Sequence, residues 1–402
     1  MQQAWTWLRG AALLCAGLAV SACTLSDSLR HDDIRSVWAR ADNAVSHPTV
    51  IFATDREADD SALGYGLHWS SASHCGIAHL AIPSAFRAGA MPRWASAEKP
   101  QTIDCDGAAD MEAFARAVLD EARAQHCNKV LLFVHGYNQT FQTALMRSGQ
   151  LATDTQWPCA NALFSWSSEG KFDRYAADIE RSGYAVPLLI DVLRALAASG
   201  LEVDIVAHSM GARVTLTALA ALCTRHATPM AHELLLVAPD VSAEHDNDDF
   251  GHLLAHSAPC VHRATVYASD NDLILVTSEG VHGGIPRAGR VPEKDLQYVE
   301  GRYGLVDVID ASGAPGDPFG HGYFVLSYEM MDDMMGALAG VAAPNRAAAD
   351  APGGPTLACA DPGGLPCLGR QRRYALRVAP ERGPDFQTRL LRRLWPLIFR
   401  VQ

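Results

Sequence analysis

Val203-Asp204-Ile205-Val206-Ala207-His208-Ser209-Met210-Gly211 is the stretch on which the reading of this 402-residue chain turns. Residues 203–207 form an apolar run of strand length, broken only by Asp204, and residues 210–223 form an apolar segment of helix length. A strand passing into a helix through small-X-Ser-X-small predicts a very sharp turn, because larger side chains two places either side of the serine would collide. Such a turn leaves Ser209 Oγ at the carboxyl edge of a sheet and at a helix N-terminus, whose dipole favours developing negative charge. Ala207 stands at the first small position instead of glycine and adds modest crowding. Taken alone, the motif still leaves Ser209 the duller role of a helix N-cap as the lesser alternative, so the surrounding sequence has to decide.

Outward from this stretch the chain alternates between two kinds of segment. Short apolar runs at 130–134, 162–166, 203–207, 233–238, 264–268 and 305–309 suit strands buried on both faces. Between and around them, residues 111–125, 141–153, 186–198, 210–223 and 322–338 read as helices, with Leu189, Leu193 and Leu196 on one stripe. That alternation predicts βαβ units and a mostly parallel sheet. Three further strand-like runs, 49–53, 64–69 and 76–82, precede it.

Other short motifs stand around the serine in a fixed order. Val134-His135-Gly136-Tyr137-Asn138 follows the run at 130–134. Ala53-Thr54-Asp55-Arg56 and Phe164-Ser165-Trp166-Ser167 also lie upstream of Ser209. Downstream come Ala238-Pro239-Asp240, Tyr267-Ala268-Ser269-Asp270-Asn271-Asp272 and Gly320-His321-Gly322-Tyr323-Phe324. With this ordered set, over residues 49–338, the chain resembles the α/β-hydrolase superfamily, and more closely its bacterial esterase/lipase-like branch of unknown function. The resemblance implies an α/β fold with a mostly parallel, doubly wound sheet and helices on both faces. It also implies a Ser-His-Asp triad in the chain order nucleophile, acid, base. Ser209 is then the nucleophile, and His321, in a loop after the last expected strand, is the base. Asp272, in the turn after 264–268, is the preferred acid, with Asp240 and Asp270 as alternatives. The backbone amides of Tyr137 and Met210 become the oxyanion hole. No cofactor or metal is implied. The expected division is a lipoprotein signal peptide at 1–22, a tether at 23–48, a hydrolase domain at 49–339, an Ala/Pro/Gly-rich linker at 340–369 and a basic tail at 370–402.

Composition fits an exported globular protein. With 49% hydrophobic and 19% charged residues the chain supports a sizeable core, which excludes global disorder. A net charge of −12 argues against a nucleic-acid partner. The charge is uneven: from Arg370 onward nine arginines face Glu381 and Asp385, giving +7, and the remainder carries −19. Arg9, the apolar residues 11–20 and Val20-Ser21-Ala22-Cys23 read as an export signal that resembles a bacterial lipobox, with Cys23 as the lipidated mature N-terminus. By the same analogy Thr24 suits sorting to the outer membrane, facing the periplasm. Apart from Cys15 and Cys23, eight cysteines remain: Cys75, Cys105, Cys127, Cys159, Cys223, Cys260, Cys359 and Cys367. An even number in an oxidising compartment reads as up to four disulfides, and sequential pairing is preferred because Cys127 and Cys159 each precede an expected strand. His252 and His256, near Glu244, His245 and Asp246, have a zinc-compatible helical spacing, but solvated polar surface is the preferred reading. Residues 386–399 mix leucines and arginines around Pro396 and suit either an anionic lipid surface or the acidic domain itself. The function expected is a lipid-anchored serine hydrolase acting on small-molecule or lipid esters. An acyltransferase or thioesterase with the same triad, and a non-catalytic envelope interaction lipoprotein, are the alternatives.

Overall fold

Strands with no polar face must be covered on both sides, and the computed structural model of the chain shows how that is done. It describes residues 45–83, 96–106, 111–223, 228–243, 250–290, 306–314, 316–343, 346, 356–359 and 373–377. The central strands are β1 (Val45–Ser46), β2 (Thr49–Ala58), β3 (Tyr65–Pro83), β4 (Ser96–Ala97), β5 (Gln101–Ile103), β6 (Lys129–Val134), β7 (Ala160–Ser165) and β8 (Glu202–His208). They are followed by β9 (Ala231–Val237), β10 (Val261–Ala268), β11 (Val306–Asp310), β12 (Thr356–Cys359) and β13 (Arg373–Arg377). The helices are α1 (Met111–Ala124), α2 (Phe141–Asp154), α3 (Tyr175–Tyr184), α4 (Val186–Ala198), α5 (Met210–Cys223), α6 (Phe250–Ser257), α7 (Leu273–Val281), α8 (Tyr323–Leu326) and α9 (Tyr328–Leu338).

All the strands belong to one sheet with the order β1-β3-β2-β7-β6-β8-β9-β10-β11-β13-β12, β4 and β5 pairing with β3. From β2 through β13 every neighbouring pair is parallel, and β3 and β12 add antiparallel edges. Residues along each strand alternate between two cores. Val130, Leu132 and Val134 of β6 pack with α1, α4, α5 and α6, whereas Leu131 and Phe133 pack with α2, α8 and α9. The mostly parallel sheet with helices on both faces is therefore the α/β-hydrolase arrangement expected from the motif order.

β6 lies between β7 on one side and β8 on the other, so successive crossovers leave it in opposite directions. In open α/β sheets a crevice opens outside the carboxyl ends of strands at such a switch point. The loop after β6 begins at His135, and the turn after β8 contains Ser209.

Three disulfides join Cys75 to Cys105, Cys127 to Cys159 and Cys223 to Cys260, the sequential pairing expected. Several expectations need correction. The runs 64–69 and 76–82 are one long strand, because both halves of β3 pair with β2 across irregular register steps near Arg56. The segment 305–309 is not the last strand: β13 pairs in parallel with β11 and β12 closes on β13, so parts of the expected linker and basic tail complete the sheet. The expected closing helix 322–338 is two helices, because Ser327 is extended and caps α9 through Met330 N. Helices α3 and α7 were not anticipated. The signal segment, Cys23, residues 24–44 of the tether, Glu244, His245, Asp246, Cys367 and the 386–399 segment lie outside the described residues, and the end of the expected tether is strand β1, paired with the end of β3. Among the described residues no helix is long and apolar enough to cross a membrane.

Candidate active site

The β8–α5 turn is as sharp as the small residues around it allow. Ser209 has φ 54°, a left-handed conformation that costs a non-glycine residue roughly 1–3 kcal/mol and persists only when surroundings enforce it. The enforcing bonds are visible. Ser209 N donates to Val237 O (2.8 Å), while Ser209 O accepts from Ala212 N (3.0 Å) and Asp240 N (3.1 Å). Ser209 Oγ is buried and makes no hydrogen bond among the described residues. An N-cap hydroxyl would accept from an amide of the first turn, so the capping role does not apply.

Glycine is required where the loop after β6 meets this turn. A Cβ on Gly136 would lie 2.8 Å from Ser209 Cβ and 2.9 Å from His208 Nδ1, and one on Gly211 would lie 2.4 Å from His135 O. Only two bare backbones permit this approach, which sets the Tyr137 segment beside the serine. The amide of Met210 opens helix α5, where it has no intrahelical acceptor, and the amide of Tyr137 takes no partner among the described residues.

His321 and Asp272 meet as their chain order requires. His321 Nδ1 lies 2.7 Å from Asp272 Oδ2, and Asp272 Oδ1 accepts from Leu275 N (3.0 Å), capping α7. Asp272 is wholly buried. Burial pushes its carboxyl above the usual carboxylate range, with the His321 charge opposing. Burial also disfavours the imidazolium of His321, but Asp272, then Asp317 and Asp240, overcome it and raise this histidine above its ordinary value. Asp317 shapes the loop, accepting from Phe319 N (2.8 Å) and from Gly322 N.

The alternative acids are placed differently. Asp240 accepts from Tyr175 Oη and Ser278 Oγ (both 2.6 Å) and from Arg287 Nε (2.8 Å). Asp270 is exposed. The structure thus pairs His321 with Asp272 and places the Ser209 turn against the Gly136 loop, without a Ser209–His321 hydrogen bond. His208 joins the two halves: its ring lies 4.7 Å from that of His321, and its Nδ1 faces Gly136. Burial, and then the facing His321, hold His208 well below the ordinary histidine value.

A cavity of about 320 Å³ opens beside these residues, lined by His135 to Gln139, His208, His321 and Gly322. Its apolar wall comes from Phe133, Phe172, Ile274, Phe319, Phe324 and Val325, and Arg147 and Asp317 add charge. Sequence reasoning missed Phe172, Arg147 and Asp317. Only Asp317, four residues before His321 in a Gly/Pro-rich loop, carried a local signal.

Metal-type clusters are elsewhere. His252 and His256 do lie together on α6, but His256 Nδ1 faces His252 O at 2.9 Å, a helical back-bond. His232, Glu233 and His262 gather at the opposite sheet edge, where Arg263 holds both Glu233 oxygens (2.7 and 2.8 Å) and Lys129 neutralises Glu202 and Asp204. That set is an ion-pair network.

Comparison with known proteins gives the following. The family described as "Alpha/beta hydrolase of unknown function (DUF900)" matches residues 111–337. Among solved structures the chain is similar to a fungal esterase from Rhizomucor miehei, at 12% identity over 74% of this chain and 85% of that one, with TM-score 0.35. It is also similar to an esterase of Pyrobaculum calidifontis, at 11% identity over 66% of this chain and 75% of that one, with TM-score 0.29. No curated protein matches.

Proposed function

The chain belongs to the alpha/beta-hydrolase family of unknown function DUF900, and from that premise we propose that it is a serine hydrolase cleaving carboxylic esters through Ser209, His321 and Asp272. The observation that carries this reading is the pairing of His321, at the wall of the cavity, with the buried Asp272, where His208 and Gly136 bring the Ser209 turn beside the same cavity.

Asp272 occupies His321 Nδ1, so Nε2 is the nitrogen left to accept a proton. Ser209 Oγ attacks the ester carbonyl carbon as its proton passes to His321 Nε2. The carbonyl π electrons move to oxygen, and that oxyanion takes the amides of Tyr137 and Met210, aided by the α5 dipole. Collapse of the adduct breaks the bond to the leaving alkoxide, which takes the proton back from His321. Water then repeats the sequence on the acyl-enzyme and frees Ser209. Asp272 holds the imidazole tautomer and stabilises the imidazolium, the role for which a buried, hydrogen-bonded carboxylate is suited.

The cavity favours small esters. At about 320 Å³ the cavity lies at the small end of ligand pockets, which run from about 300 to 1,000 Å³. Its aromatic wall suits an acyl chain better than a charged one. The N-terminal sequence adds a location to the proposal: Cys23 is the lipid attachment site, and the enzyme works at the periplasmic face of the envelope.

The test is labelling with a fluorophosphonate, which traps activated serines. Wild type labels and hydrolyses p-nitrophenyl butanoate, and Ser209→Ala does neither. Equal labelling of the two proteins overturns the nucleophile.

A further inference from the structure

The loop that carries the Tyr137 amide is held from behind by two buried charges that take no part in lining the cavity. Arg56, wholly buried in β2, sends hydrogen bonds to three separate segments. Nη1 reaches Gly66 O (3.1 Å) and Ser168 O (2.9 Å), Nε reaches Ser165 Oγ (3.1 Å), and Nη2 reaches Gln139 O (2.8 Å). Asp178 on α3 answers from the other side. Its Oδ2 accepts from Asn138 N (3.3 Å) and from Ser168 Oγ (2.5 Å), and its Oδ1 accepts from Glu169 N (2.8 Å). Ser168 Oγ in turn accepts from Gln139 N (3.0 Å).

Three backbone groups after Tyr137 are therefore pinned: the Asn138 amide by a carboxylate, the Gln139 amide by a hydroxyl and the Gln139 carbonyl by a guanidinium. The pinned loop is under strain, since Asn138 has φ 60°. A left-handed asparagine relaxes unless its neighbours hold it, and relaxation would rotate the preceding peptide, which carries the Tyr137 carbonyl. Burying Arg56 costs desolvation, and a core built only for stability does as well with apolar groups. Arg56 instead spreads its donors over the loop after β6, the end of β7 with the loop that follows it, and the start of β3. Burial pushes it down to about 10, with Asp55 and Asp178 opposing, so it remains a cation near neutral pH.

We propose that Arg56, Asp178 and Ser168 are positioning residues that clamp the loop after β6, so that the Tyr137 amide is fixed at the distance from Ser209 that an oxyanion needs. This inference rests on the hydrolase reading given above. The clamp acts only through the loop, so its loss weakens binding of the transition state more than binding of the substrate.

The experiment compares Arg56→Lys, Asp178→Asn and Ser168→Ala with wild type on p-nitrophenyl butanoate. Active sites are counted by fluorophosphonate labelling run to completion. Lysine keeps the charge but lacks the guanidinium fork. The expected kcat per labelled site falls about 10- to 100-fold in Arg56→Lys and Asp178→Asn and about threefold to tenfold in Ser168→Ala, with KM within about threefold. Affinity for an alkylboronic acid, a mimic of the tetrahedral adduct, falls in parallel with kcat/KM. A purely structural role would reduce the labelled fraction and Tm and leave kcat per site within about twofold of wild type, and that result overturns the clamp. If Arg56→Lys does not fold, Ser168→Ala, which loses a single hydroxyl, decides the matter by the same readout. Wild type lacking Ser209-dependent labelling overturns the hydrolase reading itself, whereas wild-type turnover unmoved by all three variants overturns the clamp alone.

Discussion

Gly136→Ala changes one hydrogen to a methyl at the point where the loop after β6 touches the nucleophile turn. The added carbon would lie 2.8 Å from Ser209 Cβ, 2.9 Å from His208 Nδ1 and 3.0 Å from His208 O. Ordinary contact between carbon atoms is about 3.5–4.0 Å, so the loop has to withdraw by roughly 0.5–1 Å. Ser209 Cβ and His208 O are fixed by the backbone and cannot rotate aside, so the loop moves and the Tyr137 amide moves with it. Misplacement by about 1 Å costs on the order of 100-fold, and complete loss of one oxyanion donor about 100- to 1,000-fold. The expected kcat on p-nitrophenyl butanoate is therefore about 100-fold below wild type, with KM little changed. Overpacking also costs about 1–3 kcal/mol, a fall in Tm of a few degrees. Gly183→Ala on α3 is the control, because a Cβ there meets nothing within 4 Å. It should leave kcat unchanged and Tm equal or slightly higher. Steady-state kinetics on titrated enzyme and differential scanning fluorimetry read both variants. If Gly136→Ala keeps kcat within about threefold of wild type, the loop does not form an oxyanion hole against Ser209.

Three further expectations bear on the same site. Asp272→Asn should lower kcat by about 1,000- to 10,000-fold, far more than Asp240→Asn, and similar losses from both would reopen the choice of acid. Because His321 must be neutral to accept a proton and is raised above its ordinary value, the acid limb of kcat/KM lies above the unperturbed histidine value of about 6.5. Removing the Asp272 carboxylate removes the largest raising influence, so the limb of the residual activity moves to lower pH; an unmoved limb would mean another group titrates. The small, aromatic-walled cavity predicts that kcat/KM on p-nitrophenyl esters is higher for short and medium acyl chains than for long ones. A maximum at hexadecanoate would show that the acyl group binds elsewhere.

Much of this arrangement is written locally in the sequence. Val130–Val134 and Val203–Ala207 lack polar alternation because both faces are covered, and that absence is readable without a structure. Ser209 was legible because its small neighbours and the apolar helix after it are adjacent in sequence. His321 stands out in the same way, in a glycine-flanked loop after the strand at 306–310, whereas Asp272 shares its kind of position with Asp240 and Asp270. What was not legible depends on chain segments meeting from afar. The single strand β3 looks like two because its middle, Ser70 to Cys75, is small and polar, and pairing with β2 overrides that weak propensity. β13 looks like tail because it is short and starts and ends on arginine within the arginine-rich stretch after Gly369, yet its backbone continues the sheet from β11. Helix α7 hides because Asp272 begins it, and the residue serves as cap and as histidine partner together. Arg56 sits in a quoted motif, but its partners are 10 to 112 residues away.

The choice between Asp240 and Asp272 shows why sequence order alone could not settle the acid. Both end a strand of the sheet on the side where the site lies, and both are buried, so neither position nor burial separates them. What separates them is the capacity each carboxylate has left. Asp240 accepts from Ser278 and Arg287 at one oxygen and from Tyr175 at the other, and its amide is spent on Ser209 O. Burial works against its charge, but Arg287 and the two hydroxyls overcome it and hold this carboxyl below the usual range. A carboxylate so fully engaged has its charge balanced by an arginine and no lone pair aimed at an imidazole. Asp272 has no arginine: one oxygen caps α7 and the other meets His321 at 2.7 Å. Its charge is therefore felt chiefly by the imidazole, which is the requirement for stabilising an imidazolium as a proton leaves Ser209. Asp240 has a different task, which falls to its backbone amide. With Val237 O on one side and the Asp240 amide on the other, Ser209 is held in the left-handed conformation it would otherwise abandon. In the proposed mechanism, then, Asp240 anchors the Ser209 backbone through its amide while the Asp272 carboxylate orients His321, and Arg287 is what separates the two carboxylates.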